Sequence, residues 1–395
     1  LSSSDASLFY CSMPVTDDNV QVPVPDLKLA QLRFRASKGS KEASEELLEK
    51  VKEKNMAPLY ISLCEQLKWP LDQALLQKMQ QANEEHLVVL QEKLKDAEEN
   101  FGDNEVREAC LARAQFFSEI GFKKEAVKAY RITAEKTVPI GQRLDVAFAL
   151  IRLGFFHDDR DLIRRNIEKA QYMIEEGGDW DRKNRLKVYE AFFAMSLRQF
   201  SKAAGLFLDT ISTFISYELF DYDTFIFYTV ITSIVSLARP QLRGKVVEAP
   251  DVLSVIHRMP VLSTLLNSFY NSEYKDFFGA LAATSDKMKC DRYLAPHASY
   301  FCREMRIRAY SQLLESYRSV QMSIMAQEFG VTEDFLDREL SRFIASERLH
   351  CKIDKVAGII ETTRPDAKNA QYQAAIKQGD LLLNRIQKLS RVINI

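Results

Sequence analysis

Residues 321–363 constrain this chain most, because they change structural type several times within a short span. The run Ser323-Ile-Met-Ala-Gln-Glu-Phe329 is apolar at helical spacing, and Gly330 suits the left-handed position that ends a helix. Thr332 stands at an N-cap position, with Glu333 and Asp334 in a first turn where the helix dipole favours acids. A second helix then presents Phe335, Leu336, Leu340, Phe343, Ile344 and Leu349. Two short β-type runs follow, His350 to Asp354 and Gly358 to Thr362, joined by Lys355-Val-Ala. Helix, tight turn, helix and hairpin predict a winged helix.

A winged helix that reads DNA places its second helix in the major groove, among phosphates. Here that helix and its end hold Glu333, Asp334, Asp337, Glu339 and Glu347 against Arg338, Arg342 and Arg348. The cationic footprint is missing, so packing and protein contact are the expected uses. The exposed hydrophobic and hairpin positions Phe335, Phe343, Leu349, His350, Ile353 and Ile359 are the candidate interface of this element.

The remainder reads as helix. Only 13 Gly and 11 Pro occur in 395 residues, which argues against a loop-rich or all-β chain, and the length allows two or three domains. A net charge of −1 gives no global field for nucleic acid or acidic membrane. The uncharged run from Thr224 to Ala238 falls short of the about 20 residues of a membrane span and predicts a buried helix. The six cysteines are scattered without CxxC spacing, as in the reduced thiols of a soluble intracellular protein. Residues 1–25 lack periodicity and a signal-type segment, and read as a disordered tail.

Pro58 sits where a first helical turn tolerates it. Leu87, Leu90, Leu94, Ala97 and Phe101 form a narrow seam, predicting a long helix docked on a neighbour. Over 105–215, Ile120-Gly121 with Ala126, Leu153-Gly154 with Ala170, and 197–200 with Ala203 resemble degenerate tetratricopeptide-type units, in which alanines let paired helices approach. Stacked units of this kind make a solenoid suited to binding. Four carboxylates around Gly177-Gly178 invite a calcium reading, but Lys183 occupies the position where a third ligand is needed. A helix end at Gly177 or Gly178, with Asp179 capping the next helix and Trp180 packed between units, is the simpler expectation.

Pro240, Pro250 and Pro260 predict short elements. Helices are expected at 262–269 and 274–284, and again from Arg303 to Val320, where Met305, Ile307, Tyr310, Leu313, Leu314 and Tyr317 would pack beneath the winged helix. After Arg364-Pro365 a last helix carries Tyr372, Ala375, Gly379, Leu382, Ile386, Leu389 and Ile393 in steps of three and four. Of these, Tyr372, Leu382, Ile386, Leu389 and Ile393 are the candidate contacts of a helix bundle with partner chains, since so apolar a terminal helix is not expected to be left in water.

Local chemistry is absent. The five histidines form neither HExxH nor HxH, and no GxxxxGK[ST], GxGxxG or GxSxG occurs. His350 and Cys351 are adjacent on a strand and face opposite ways. The reading is a non-enzyme with no cofactor and no metal.

Several long runs carry a resemblance: 175–189 (EEGGDWDRKNRLKVY), 207–214 (FLDTISTF), 303–307 (REMRI), 310–319 (YSQLLESYRS) and 379–394 (GDLLLNRIQKLSRVIN). Over roughly 26–395 the chain resembles the PCI subunits of the proteasome lid, a family shared with the COP9 signalosome and translation initiation factor 3. The resemblance implies a tetratricopeptide-like domain over 26–198, a PCI domain over 199–365 whose winged helix spans 303–363, and a bundle helix over 366–395. It also implies a non-catalytic lid scaffold in ubiquitin-dependent degradation, in cytoplasm and nucleus. Its partners would be other lid PCI subunits, the lid deubiquitinase and the ATPase base, with no nucleic acid and no membrane. A signalosome paralogue and a nucleic-acid-binding PCI protein of the messenger-RNA export type are the alternatives. Three departures stand out: Asn369-Ala-Gln-Tyr372 replaces the family's Asn-Trp-Gln-Tyr, Glu347 stands where a small residue is usual, and residues 1–25 do not resemble the family.

Overall fold

The computed structural model describes residues 24–100, 102–362 and 367–393, so residues 1–23 of the tail expected over 1–25, Phe101 and Arg364-Pro365 lie outside the described residues. The chain divides into two compact units, and the first cut between them, at 189/190, falls within a helix.

The first unit takes residues 24–189 with 214–221. It holds α1 (Leu27–Ser37), α2 (Lys41–Glu53), α3 (Ala57–Leu67), α4 (Gln73–Asn100), α5 (Asp103–Glu119), α6 (Lys123–Lys136), α7 (Ile140–His157), α8 (Arg160–Gly177) and the start of α9 (Trp180–Ser196). The α4 seam docks on α5 as expected, with Leu90 and Ala97 buried and Leu87 packed against a cluster of Phe117, Ile120, Ala126 and Leu153. Gly121 adopts φ +80° in the turn between α5 and α6, a conformation glycine reaches without penalty, and Ala126 beyond it is fully buried. Gly154 works differently. It sits inside α7, and a Cβ there would lie 2.6 Å from Ile163 of α8, so its missing side chain sets how closely that pair packs.

At the Gly-Gly segment α8 ends on Gly177 and Gly178, and Asp179 precedes α9 with its carbonyl accepting from the Lys183 amide at 3.0 Å. That is a helix boundary, and the Asp179 carboxylate is held by Arg182. Trp180 differs from the expectation: it is 61% exposed, because the first turn of α9 points its side chain outward instead of into a seam. A buried polar knot ties this unit together. Arg152 donates to the Tyr189 hydroxyl at 2.9 Å and lies 3.3 Å from Glu218, which also accepts from Tyr189.

The second unit takes residues 190–213 and 222–393. Its helices are the rest of α9, then α10 (Phe200–Thr210), α11 (Tyr222–Ser236), α12 (Arg239–Leu242), α13 (Pro250–Ile256), α14 (Pro260–Asn271), α15 (Tyr274–Lys289) and α16 (Ala298–Ser316). Pro240, Pro250 and Pro260 each fall in a first helical turn, where a missing N–H goes unnoticed. The uncharged run became α11, with Phe225 to Ile234 all buried and α10, α13, α14 and α16 packed around it. Among the described residues no helix is long and apolar enough to cross a membrane. Inside α11 the hydroxyls of Thr229, Thr232 and Ser236 donate to carbonyls four residues back at 2.7–2.8 Å, so these polar groups are satisfied without leaving the helix.

The winged helix follows: β1 (Ser319–Gln321), α17 (Met322–Phe329), α18 (Glu333–Ala345), β2 (Cys351–Asp354) and β3 (Ile359–Thr362), then α19 (Ala367–Ile393). The sheet is antiparallel in the order β1-β3-β2, with Val320, Ile360 and Ile353 on one rung. Here a sequence expectation fails. The helix expected to Val320 stops at Ser316, because residues 319–321 pair with β3, some forty residues later. Tyr317 leaves the helix with it and is 53% exposed, while Met305, Ile307, Tyr310 and Leu314 are buried as expected.

Candidate protein-interaction site

The winged helix is anchored from below by aromatic packing. Phe329 of α17 is 1% exposed, with ring centroids 4.6 Å from Tyr274, 5.2 Å from Phe278 and 4.8 Å from Tyr310. Gly330, at φ +63°, closes α17 with the Val331 amide donating back to the Ala326 carbonyl at 3.0 Å. Thr332 does precede α18, but its hydroxyl makes no cap bond.

Charge anchors it too. The Tyr310 hydroxyl donates to Glu339 of α18 at 3.0 Å, and Arg306 approaches the other oxygen of that carboxylate at 3.1 Å. Burial first, and then the neighbouring carboxylate, push the Tyr310 hydroxyl far above the ordinary phenol range, so it remains a donor at any physiological pH. Arg348, just past α18, reaches Glu304 of α16, and Lys355 in the hairpin bonds Asp337 at 2.9 Å. Glu339 and Asp337 are therefore spent on internal bonds. The exposed charges along α18 are Glu333 and Asp334 against Arg338 and Arg342, which is no cationic face.

The sequence-derived interface residues separate into groups. Phe343 and Leu349 are 7% and 5% exposed and lie in the domain's own core, where they hold the surface residues in place. Phe335 is 39% exposed, and His350 is exposed on the face of the strand opposite buried Cys351. Ile353 is half-buried on the rung of Ile360, while Ile359, also half-buried, belongs to the alternate face. Sequence reading passed over Ile324, 50% exposed on α17, and Val356, fully exposed at the hairpin tip. Both are large apolar side chains in water, a signal that needs the fold before it can be seen.

Helix α19 has a simpler description. It runs 27 residues, about 40 Å at 1.5 Å per residue, and every described side chain on it is exposed. Tyr372, Leu382, Ile386, Leu389 and Ile393 are 67%, 61%, 54%, 59% and 71% exposed. An apolar stripe of that length in water makes α19 a candidate docking surface.

Known protein families match this sequence along most of its length. The family model described as 26S proteasome subunit RPN7 matches residues 72–245, the PCI domain model matches 275–364, and the model of the RPN7/PSMD6 C-terminal helix matches 371–393, the body of α19. The chain is 55% identical to the 26S proteasome non-ATPase regulatory subunit 6 of Dictyostelium discoideum, over 94% of this chain and 98% of that one. It belongs to the RPN7/PSMD6 family of 26S proteasome regulatory subunits. The corresponding homolog of Arabidopsis thaliana is also 55% identical, over 94% of this chain and 93% of its own. The COP9 signalosome complex subunit 1 of Arabidopsis thaliana is only 22% identical, over 79% of this chain. RPN7/PSMD6 membership thus takes in the helical units, the winged helix and the exposed terminal helix together. Glu347 sits at φ +56°, a left-handed backbone position where a side chain is strained.

Proposed function

We propose that the chain is a non-catalytic scaffold of the 26S proteasome regulatory-particle lid, serving degradation of ubiquitinated proteins through assembly. The observation that carries this reading is α19: a family-matched helix whose apolar residues stand in water in the isolated chain. Its partners are other PCI subunits of the lid, the lid deubiquitinase and the ATPase base, in cytoplasm and nucleus. Phe335, Ile324, Ile359 and the hairpin tip Val356 form the winged-helix contact, and the α19 stripe joins a bundle of partner helices. The charge balance of α18 supports protein contact over nucleic acid.

The test is affinity capture of the tagged full chain from its own cells, resolved by native gel and mass spectrometry. Recovery of lid and base subunits in one large complex is the expected result. Recovery of signalosome subunits, or of RNA with export factors, would overturn it.

A further inference from the structure

The first unit holds a groove that the lid reading does not use. It has a volume of about 270 Å³ and lies between α6 and α8 over α7. Val127, Ala134, Leu150 and Leu162 supply apolar lining. Arg131, Arg143, Arg165 and Lys169 line it as well, against one acid, Glu135. Four cations less one carboxylate leave a local charge of +3. All four are exposed, and none has a side-chain ion pair or hydrogen bond among the described residues.

That contrasts with other lysines of the same helix. On α6, Lys123 pairs with Asp159 at 2.7 Å, Lys128 with Glu125 at 2.7 Å and Lys136 with Glu98 at 2.9 Å. Three of the four lysines of α6, all outside the groove, are thus neutralised, whereas Arg131, the one cation of α6 that lines it, is not. The apolar stripes also continue past the groove. Tyr172, three residues after Lys169 on α8, is 63% exposed, and Val138, just beyond α6, is 83% exposed.

Unpaired cations over an aliphatic floor select a particular chemistry. Phosphates of a nucleic acid would use the arginines and leave the floor wet. A neutral apolar segment would fill the floor and leave the charges unmatched. We propose that this groove docks an acidic amphipathic segment of a partner protein. An aliphatic or aromatic side chain of that segment enters between α6 and α8, and flanking carboxylates meet Arg131, Arg143, Arg165 and Lys169. Arginine forks favour carboxylates in such a site because they bind them through two parallel N–H donors.

The test uses the purified full chain and fluorescence anisotropy, so it is independent of whether the chain assembles into the lid. The probe is a fluorescein-labelled peptide of glutamates with leucines one helical turn apart. Binding is expected, weakening as salt rises. The double variant Arg131→Glu, Arg165→Glu should lose at least about tenfold in affinity, roughly 1.4 kcal/mol, as should Lys169→Glu with Arg143→Glu. Charge reversal at Lys78, on α4, should leave affinity unchanged. These side chains are exposed, so circular dichroism should show the fold intact in every variant. Equal binding by the wild type and both groove variants would overturn the proposal. So would equal binding of a leucine-free glutamate peptide, which would mean diffuse charge alone. Displacement of the peptide by a tighter-binding single-stranded RNA would replace the peptide reading with a nucleic-acid one.

Discussion

The exposed stripe of α19 makes a prediction that separates assembly from folding. Leu382 and Ile386 are 61% and 54% exposed in the isolated chain. Full burial of such a side chain contributes about 1.5–3 kcal/mol, so docking the exposed share is worth about 1–2 kcal/mol for each. The double variant Leu382→Ala, Ile386→Ala should therefore weaken incorporation by about 2–4 kcal/mol, or about 30- to 700-fold at 1.4 kcal/mol per tenfold. Stability of the free chain should move by no more than about 0.5 kcal/mol, since neither side chain packs on its own domain and alanine is the better helix former. The assay is competition: wild-type and variant chains, differently tagged, are co-expressed and their ratio in the purified complex is read by mass spectrometry. Thermal unfolding of each free chain runs beside it. Equal ratios in the complex would refute the reasoning, and so would a free-chain loss of about 2 kcal/mol, the signature of a helix folded back on its own core.

Other consequences are equally measurable. Glu347→Gly relieves a left-handed backbone position and should raise stability by about 0.5–1 kcal/mol, seen as a higher Tm. Arg308 donates to the Ile234 and Leu237 carbonyls at 2.8 and 3.0 Å, capping the end of α11, so Arg308→Met should cost about 2–3 kcal/mol in denaturant unfolding. The Lys123 ammonium bonded to Asp159, with help from the Leu162 amide, holds the Asp159 carboxyl below the usual carboxylate range. Its stabilisation is complete above the unfolded value of about 3.9 and is lost as pH falls through the lowered folded value. Asp159→Asn should therefore flatten the acid limb of the stability curve and leave its relative shape above about pH 5 unchanged.

Much of this was legible in local signals. Gly330, the three helix-starting prolines and the uncharged run of α11 each act within a turn or two of chain, where spacing and residue type decide the outcome. The candidate interface was legible only in part. Phe335 and Phe343 belong to one helix and both are apolar, yet one is 39% exposed and the other 7%, a difference set by what α16 and the sheet cover. Strand β1 was missed because its partner lies some forty residues away and a three-residue strand has no periodicity of its own. Glu339 looked like one more surface acid until Tyr310 and Arg306, contributed by α16, closed around it. Trp180 shows the reverse error: size and hydrophobicity favour burial, and a first-turn position turned it outward.

The internal hydroxyl bonds of α11 bear on how the chain is made. A helix that turns the hydroxyls of Thr229, Thr232 and Ser236 inward on its own backbone presents mainly hydrocarbon from Phe225 to Ile234, so most of its cover must come from the helices wrapped around it. Of those, α10 leaves the ribosome earlier, while α13, α14 and α16 emerge later, the last about eighty residues after α11 ends. At about 5–20 residues per second, α11 spends about 4–16 s half-clothed on every round of synthesis. That interval, more than any property of the finished molecule, marks the segment on which a nascent-chain chaperone has most to do.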